Sequence, residues 1–402
     1  MDKAFVIFLL TYAVIAVGRP PIFRIDRTGA ALIGASLMIV LNVLDISTAY
    51  KAIDYKTIVI LFSVMIVVAN LRLSGFYHLI SSLIMSRIRT RSKMLYALIL
   101  TSGVLSALLI NDTVCLVFTP LVLSLAGRLR LNPVPYLLAL CMASNIGSVA
   151  TITGNPQNIM IGSFSQIPYA QFSLRLFPVA LIGLIACAAV IRIAYHSHFA
   201  GGVIEPAFPS KTRVHKALLI KSLSVSFTMI ILFFVGAPMS TVAIGAASYL
   251  LITRRVKPEK VYNSIDWRLL IFFVGLFIVV EGIGQSGFAE RILQAIGGRT
   301  VGHPLFLVVS SALMSNIVSN VPAVMLFKPL IPSVVNPEKA WLLLAMSSTL
   351  AGNLTILGSI ANLIVIEGAK HRVRIGFLEY MKIGVPLSLL SIFFGFLWLS
   401  LI

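Results

Sequence analysis

The hydrophobic positions of this chain gather into long apolar stretches that short polar segments separate. Eight of these stretches hold few or no charged residues over lengths close to the ~20 residues that a helix needs to cross a bilayer. The pattern predicts an all-α polytopic membrane protein, with short amphipathic helices near 75–90 and 287–297. The predicted spans lie near residues 4–19, 28–44, 56–72, 172–194, 217–235, 239–253, 267–284 and 377–401.

Four further apolar stretches carry a polar break in the middle. The stretches 92–127 and 303–335 are too long for one helix and too short for two full crossings, so each is predicted to form a re-entrant hairpin. The stretches 134–164 and 338–368 read as long helices that are interrupted at Gly-Asn-Pro-Gln-Asn and Gly-Ser-Ile-Ala-Asn.

These breaks belong to a pattern that occurs twice. Asp54 and Asp266 begin similar apolar segments, and each segment ends in Ser-Gly-Phe. Paired irregularities in apolar helices are typical of secondary transporters and point to the binding site. The equivalent pairs further along are Asn111/Asn320, Pro120/Pro329, Thr151/Thr355, Gly154/Gly358 and Asn158/Asn362.

The repeat sets the domain organisation that we expect. Residues 1–44 form N-terminal spans, and residues 45–198 form repeat 1 with hairpin 92–127 and broken helix 134–164. A polar cytoplasmic linker at 199–216 leads to repeat 2, residues 217–402, with hairpin 303–335 and broken helix 338–368.

Composition places the chain in lipid. Hydrophobic residues make up 58% and charged residues only 11% of the 402 residues, whereas soluble domains carry roughly a quarter charged residues. The apolar N-terminus shows no convincing cleavage site, which indicates a retained span. The cysteines Cys115, Cys141 and Cys187 lie in apolar stretches and predict no disulfide. A small buried hydrophobe is the favoured interpretation of Cys115, over a thiol ligand for a soft metalloid.

The basic residues that produce the net charge of +19 lie mainly in alternate loops. Basic clusters lie near 19–27, 87–93, 128–130, 211–221, 254–260 and 370–374, and the loops between them hold few cations. This positive-inside pattern predicts a multi-pass protein of the cytoplasmic (inner) membrane, with both termini outside and the basic loops in the cytoplasm. It also predicts that equivalent helices run in opposite directions, as in an inverted repeat. The charge therefore indicates topology, and we expect no nucleic-acid partner.

A helix break inside a membrane survives only around a polar cavity, because unpaired backbone groups in hydrocarbon are costly. Helix N-termini at such breaks attract anions, and freed carbonyl oxygens bind cations such as sodium. Glycine, proline and amide side chains at the breaks fit this chemistry. For a single asparagine the alternative is an interhelical hydrogen bond, but the pairing favours a site. The candidate substrate- and ion-binding residues are Asn111, Asp112, Thr113, Gly154, Asn155, Asn158, Ser319, Asn320, Gly358, Ser359 and Asn362.

Three ionisable residues lie within or next to the apolar stretches. Asp112 lies at a predicted hairpin tip with apolar sequence on both sides, where an acid is costly and usually functional. It is the candidate for ion coupling, with a possible sodium site at Asp112, Asn111 and Gly154. Glu281 is expected at the end of a span. Lys328 is expected to snorkel outward, with pairing to Asp112 or attraction of an anion as alternatives.

Several function classes lack support. No lysine follows a glycine, so the chain has no phosphate loop, and only a partner ATPase subunit would supply ATP hydrolysis. No histidine spacing resembles a catalytic zinc site, and no Ser/His or Asp pair suggests a protease. We expect no enzyme activity and no cofactor other than sodium or a proton as coupling ion.

The sequence resembles the ion transporter superfamily that includes arsenite permeases, sodium/proton antiporters and divalent anion/sodium symporters, and it is most similar to the arsenite-permease and anion-permease branch. Four stretches carry the resemblance, from Ser106, Ser144, Ser311 and Leu350. The resemblance implies a scaffold part and a moving transport part, a homodimer and elevator-like alternating access. It places the hairpin-tip positions on residues 111–113 and 319–320, and the helix-break positions on Gly154, Asn155, Asn158, Gly358, Ser359 and Asn362.

The hairpin tips depart from the dicarboxylate symporters, which carry Ser-Asn-Thr at both. Here the tips read Asn-Asp-Thr and Ser-Asn-Val-Pro, and the acid disfavours a dianionic carboxylate. The sequence thus predicts a secondary active transporter of a small inorganic anion or metalloid oxyacid, coupled to a proton or sodium gradient. A sodium/proton antiporter is the runner-up, followed by a dicarboxylate/sodium symporter. A passive channel is the alternative of a different class.

Overall fold

The computed structural model describes residues 3–18, 24–200, 214–253, 256–287 and 303–402, and these ranges fold into twenty α-helices and no strands. The helices of the first half are α1 (Lys3–Val17), α2 (Arg27–Val40), α3 (Ile46–Ala52), α4 (Tyr55–Ser74), α5 (Phe76–Arg87), α6 (Arg91–Leu108), α7 (Asn111–Arg128), α8 (Val134–Ser148), α9 (Pro156–Ser165), α10 (Tyr169–Ala194) and α11 (His196–Phe199). Those of the second half are α12 (Lys216–Phe234), α13 (Met239–Leu251), α14 (Pro258–Tyr262), α15 (Trp267–Gln285), α16 (Pro304–Val318), α17 (Asn320–Phe327), α18 (Pro337–Ala351), α19 (Ile360–Ala369) and α20 (Phe377–Leu401).

The predicted fold class is confirmed. Within the described ranges, α4, α10, α12, α15 and α20 are each long and apolar enough to cross a membrane. The short helices α3, α11 and α14 were not predicted, because they lie in polar segments between spans. Most of the predicted linker (201–213) and of the second amphipathic helix (288–297) lies outside the described residues.

Both predicted hairpins are present, and we call them hairpin 1 (α6 and α7) and hairpin 2 (α16 and α17). Hairpin 1 turns at Leu109 and Ile110, which are extended, and hairpin 2 turns at Ser319, whose φ is 78°. The turn of hairpin 1 therefore comes slightly earlier than the sequence predicted, whereas that of hairpin 2 lies at Ser319, within the predicted tip. Asn111 and Asn320 are each the first residue of the returning helix. The N–H groups in the first turn of a helix have no intrahelical partner, so polar residues and proline can occupy these positions without the loss of a hydrogen bond.

The paired prolines have different outcomes. Pro120 stays inside α7, which continues to Arg128, whereas Pro329 follows the end of α17 at Phe327. A second proline, Pro332, comes three residues later in a 3₁₀ turn, so two nearby backbone nitrogens cannot donate in hairpin 2. The returning limb of hairpin 2 is consequently shorter than predicted.

Both interrupted helices are also present: interrupted helix 1 (α8 and α9) and interrupted helix 2 (α18 and α19). Each break contains a 3₁₀ turn, Ile152–Gly154 in the first and Ile356–Gly358 in the second. All residues of α8 are buried, and so are most of those of α18. The two breaks therefore lie deep in the protein.

The helices pack in two groups. One group contains α1, α2, α4, α12, α13 and α15, and the other contains the hairpins, the interrupted helices, α10 and α20. Within the first group the packing is reciprocal, since α2 packs on α15 of the second half and α13 packs on α4 of the first. In the second group, α6 packs on α8 as α16 packs on α18, and α10 meets α20. This exchange of contacts is what a two-fold relation between the halves requires.

Candidate functional site

The tip of hairpin 1 opens into a cavity of about 610 Å³, a volume that includes space open to solvent. Asp112 and Thr113, in the first turn of α7, line it together with Arg72, Ser264 and Asp266. The Nη2 atom of Arg72 donates to Oγ of Ser264 at 2.7 Å. Among the described residues, Asp112 has neither a salt bridge nor a hydrogen-bonded side chain. The cavity therefore holds a carboxyl group without an ion-pair partner among the described residues, and such a group can take up a cation or a proton.

The tip of hairpin 2 opens into a neighbouring cavity of about 620 Å³, again including solvent-open space. Ser319 lines this cavity, and Arg27 and Arg268 lie on its other walls. Asp266 and Leu269, at the start of α15, line both cavities. The two hairpin tips thus face adjoining spaces that the same turn of α15 bounds.

A buried amide network joins the tip of hairpin 1 to interrupted helix 2. Its centre is Asn145, on α8, whose Oδ1 accepts from Asn111 Nδ2 and from Ser359 Oγ, both at 3.0 Å. The Nδ2 of Asn145 donates to Oδ1 of Asn353 at 2.8 Å and to Oδ1 of Asn362 at 3.0 Å. Asn145 is 1% exposed and uses all four of its amide hydrogen-bonding positions.

The tip of hairpin 2 is bonded both to its own half and to the opposite half. With the Asn320 nitrogen turned toward the carbonyl oxygens of Ser348 and Gly358, it donates to them at 3.1 and 3.0 Å, and its oxygen accepts from Gln157 Nε2 at 3.0 Å. Gln157 Nε2 also donates to Thr349 Oγ1 at 3.1 Å. Each hairpin tip is therefore bonded through a side chain of an interrupted helix to the other half of the molecule.

The paired asparagines Asn158 and Asn362 brace their own breaks. Asn158 Nδ2 donates to the carbonyl oxygens ten and seven residues before it, those of Ser148 and Thr151, at 3.1 and 2.9 Å. Asn362 Nδ2 does the same to Gly352 and Thr355, at 2.7 and 3.1 Å. These bonds satisfy carbonyl groups that the interruption frees, which explains why the same amide recurs in both repeats.

The paired glycines are needed for close approach. A Cβ added to Gly154 would lie 2.2 Å from the carbonyl oxygen of Ser148, and one added to Gly358 would lie 2.7 Å from Oδ1 of Asn316 and 2.8 Å from the carbonyl oxygen of Gly352. Both glycines are buried in the breaks. Their backbone shapes the site, and neither lines the cavities at the hairpin tips.

The structure brings the predicted residues together in two sets. Asp112, Thr113 and Ser319 line the cavities. The second set lies beneath them in the buried network of the breaks: Asn111, Gly154, Asn155, Asn158, Asn320, Gly358, Ser359 and Asn362. Two buried oxygens of this set, Oδ1 of Asn111 and Oδ1 of Asn158, have no hydrogen-bond partner. The suggested sodium ligands are split, since Asp112 lines the first cavity and Gly154 does not. No cluster of three potential metal ligands occurs in the described ranges.

The two other ionisable candidates lie apart from this site. Lys328 Nζ lies 4.4 Å from the centre of the Phe164 ring, so its contact is with interrupted helix 1 and it does not line the cavity of Asp112. Oε1 of Glu281 accepts from Gln285 Nε2, one turn further along α15, at 3.0 Å. The structure therefore gives no support to a pairing of Lys328 with Asp112.

Sequence reasoning missed several polar residues of the network, of which Asn145, Gln157, Thr349 and Asn353 matter most. A signal was available for some of them, because Ser144, Asn145 and Ser148 lie on one apolar helix that ends at a break. Arg72 and Asp266 were also missed as cavity residues. The sequence pattern identifies Asp266 only as a repeat marker, and its side chain also has a local structural role, since it accepts from the N–H of Leu269 as the N-cap of α15.

Comparison with known proteins gives the family. The profile of the citrate transporter family (CitMHS) matches residues 10–351. The chain belongs to this family. It is 30% identical to a silicon efflux transporter of Oryza sativa subsp. japonica, over 92% of this chain and 91% of that protein. It is 26% identical to a Dictyostelium discoideum transporter named arsB, over 92% of this chain and 86% of that protein.

The fold has a relative of known structure. The YdaH transporter of Alcanivorax borkumensis superimposes with a TM-score of 0.65 over 99% of this chain and 96% of the other, at 14% identity. At that identity the likeness concerns the fold alone. The family and the fold together make this member of the citrate transporter family a membrane transporter, and the resemblance to the arsenite-permease group is confirmed at the level of the family.

Proposed function

We propose that this protein is a secondary active transporter that moves a small metalloid oxyacid or inorganic anion across the cytoplasmic membrane, coupled to a proton or sodium gradient. One observation carries the proposal most: Asp112 and Ser319, from opposed hairpin tips, open into adjoining cavities that share Asp266 and Leu269. A solute between these tips meets hydroxyl and carboxyl oxygens together with nearby arginines. This mixture suits a compact, hydroxyl-bearing oxyacid, which both donates and accepts hydrogen bonds.

The names of the relatives support the same substrate class. One of them is a silicon efflux transporter and another is named arsB, and silicon and arsenic form small hydroxylated acids in water. A neutral acid avoids the repulsion that a dianion would meet beside Asp112 and Asp266. Asp112 is the candidate to hold the coupling proton or sodium, since its carboxyl group lines the cavity and forms no ion pair among the described residues.

The two packing groups support an elevator-like mechanism. The group with the hairpins and interrupted helices would form the transport unit, and the other group would form the scaffold and contact lipid and a second copy of the chain. Both cavities lie next to the start of α15, close in sequence to the basic cluster at 254–260, which the positive-inside rule assigns to the cytoplasm. We therefore infer that the structure represents an inward-facing state with inverted repeats.

A carboxylate symporter is the second candidate. Its support is the citrate transporter family itself and the presence of Arg27 and Arg268 in the cavity at hairpin 2, since arginine binds carboxylates in a bidentate manner. A sodium/proton antiporter would need only Asp112 to bind its two ions in competition, so it is the simplest function that this residue alone supports.

Transport into proteoliposomes separates these candidates. Purified protein is tested with arsenite, germanic acid as a silicic-acid substitute, sulfate, citrate and radioactive sodium, each under an imposed pH or sodium gradient. We expect saturable, gradient-driven accumulation of arsenite or germanic acid. Accumulation of citrate alone would establish the carboxylate candidate, and flux that rises linearly with concentration after the gradient is dissipated would establish a channel.

Asp112→Asn tests the coupling role in the same system. The variant is expected to lose gradient-driven accumulation and to keep exchange of solute at equal concentrations. Asp45→Asn is the matched control, because hydrogen bonds from Thr48 hold the pKa of Asp45 below its usual range and an asparagine keeps the N-cap. If Asp112→Asn accumulates solute as well as the control does, Asp112 has no part in coupling.

A further inference from the structure

The amide of Asn145 connects parts of the molecule that are far apart in sequence. Its partners are Asn111 in hairpin 1 and Ser359, Asn353 and Asn362 in interrupted helix 2, which lie 208 to 217 residues away. No other described side chain bonds one hairpin tip directly to three residues of the opposite break. The residue is fully buried, so water does not compete for these bonds.

The bonds fix the orientation of each amide in turn. The nitrogen of Asn362 donates to the carbonyl oxygens of Gly352 and Thr355, so its oxygen must face Asn145. Asn145 therefore turns its nitrogen to Asn362, and its oxygen is left to accept from Asn111. Asn111 in turn gives its nitrogen to Asn145, and its own oxygen stays buried and unpartnered.

We propose that Asn145 is a positioning residue that transmits the conformation of the second helix break to the tip of hairpin 1 and makes Asn111 present an oxygen there. The free oxygen is buried and does not line the open cavity, so it serves a cation or a solute hydroxyl that enters the tip, and it disfavours an anion. Asn145 itself contacts no solute. The proposal relies on the proposed function only for what Asn111 binds, and the connection between the two breaks can be tested without any solute.

The equivalent position in the second repeat does not carry the same connection. Residue 145 corresponds to Thr349, because Thr151 and Thr355 are partners in the repeat. Thr349 accepts from Gln157 at 3.1 Å and from Asn155 at 3.4 Å but does not bond to the tip residue Asn320 itself. The hairpin 2 tip is connected through Gln157 instead, which donates directly to Asn320 at 3.0 Å and also to Thr349, so the two sides use different residues to join a tip to the opposite break.

Asn145→Asp is the main test, with amide hydrogen exchange measured by mass spectrometry. When protonated, the introduced acid can donate one hydrogen bond and accept others, so it imitates the amide. When ionised, it repels the oxygens of Asn353 and Asn362. We expect exchange at both the hairpin 1 tip (107–113) and the second break (352–362) to rise about tenfold at alkaline pH, the factor that the loss of one or two hydrogen bonds implies. Protection should return at acidic pH.

Each pH is compared with the unmodified protein, in which Asp112 and the other native groups titrate equally. Asn70→Asp is the matched control, since Asn70 is buried and donates only to the carbonyl oxygen of Ile66 on its own helix. If Asn145→Asp fails to fold, Asn145→Thr replaces it, because the equivalent helix already carries threonine there. That variant should lose protection at both segments without the pH dependence.

Three results would overturn the proposal. Exchange that rises at only one of the two segments shows that Asn145 does not connect them. Equal loss at acidic and alkaline pH in Asn145→Asp shows a packing defect, and the same response in Asn70→Asp shows a general effect of a buried acid. In proteoliposomes with arsenite, we expect Asn145→Thr to raise KM about tenfold with less change in Vmax. Absence of all transport in the unmodified protein would contradict the proposed function and leave the exchange result standing.

Discussion

The amide side chains of this protein serve two purposes that the sequence alone did not separate. Asn158 and Asn362 donate to the backbone of their own breaks, which is a structural role. Asn111 and Asn320 lie at the hairpin tips, and they connect to the opposite half, Asn111 through Asn145 and Asn320 directly through Gln157. Both kinds of asparagine occur as pairs in the repeat, so the pairing alone does not separate the two roles. A break needs hydrogen bonds to its freed carbonyl groups whether or not a solute binds beside it.

Replacing either bracing asparagine by aspartate should destabilise the fold. The change puts a second acceptor against two carbonyl oxygens, and the loss of two buried hydrogen bonds costs about 2–4 kcal/mol. Asn158→Asp and Asn362→Asp should both lower the unfolding temperature of the purified protein. Asn336→Asp serves as control, because Asn336 only accepts from the N–H of Lys339 at an exposed N-cap. Unchanged stability in both variants would show that the bracing bonds contribute nothing.

Ser319 has a strained backbone at the tip of hairpin 2. Its φ of 78° and ψ of 163° lie in a region that glycine adopts freely and other residues rarely do. Ser319→Gly should therefore stabilise the protein by about 1 kcal/mol, the strain relieved less the added freedom of the unfolded chain. Ser319→Ala, which keeps a Cβ, should give no such gain. Equal unfolding temperatures for the two variants would contradict the strain.

At the scale of elements, close helix contacts depend on small residues. A Cβ added to Gly147 on α8 would lie 2.1 Å from the carbonyl oxygen of Gly103 on α6. Small residues at such crossings let membrane helices approach closely. This contact holds the entering limb of hairpin 1 against interrupted helix 1, so it determines where the tip lies.

Gly147→Ala should force α6 away from α8 and destabilise the protein by about 1–3 kcal/mol. Thermal unfolding in detergent measures the effect. Gly245→Ala on α13 is the control, since nothing lies within 4 Å of a Cβ at that position. If both variants unfold at the same temperature, the contact between α6 and α8 adapts easily and does not fix the hairpin.

The sequence predicted the elements better than their details. Apolar length and polar breaks predicted both hairpins, both interrupted helices and five spans of membrane-crossing length, because each pattern has a direct cost or benefit in lipid. The predicted spans near 4–19, 28–44 and 239–253 form shorter apolar helices in the described residues. The turn of hairpin 1 was predicted less well, since it falls on the apolar residues Leu109 and Ile110. The partners of Asn145 were beyond reach, because contacts between residues more than 200 positions apart depend on how the halves pack.

At the scale of the whole molecule, the halves exchange contacts in both packing groups, and interrupted helix 1 bonds to the tips of both hairpins, through Asn145 to Asn111 and through Gln157 to Asn320. The walls of both cavities come from the two packing groups, since residues of α15 line them together with residues of the hairpins. Movement of one group against the other would then expose the cavities to one side of the membrane at a time. This is the feature on which the proposed transport depends.

Accessibility of Leu116, which lines the first cavity one turn beyond Asp112, tests the central claim most directly. Leu116→Cys is placed in a variant whose three buried cysteines are replaced, and a membrane-impermeant maleimide is applied from either side of vesicles, with and without arsenite. We predict rapid labelling from the cytoplasmic side that arsenite slows, and labelling from the outer side that appears only under an imposed gradient. Labelling that arsenite leaves unchanged, or access from one side under every condition in a variant that still transports, would contradict the account.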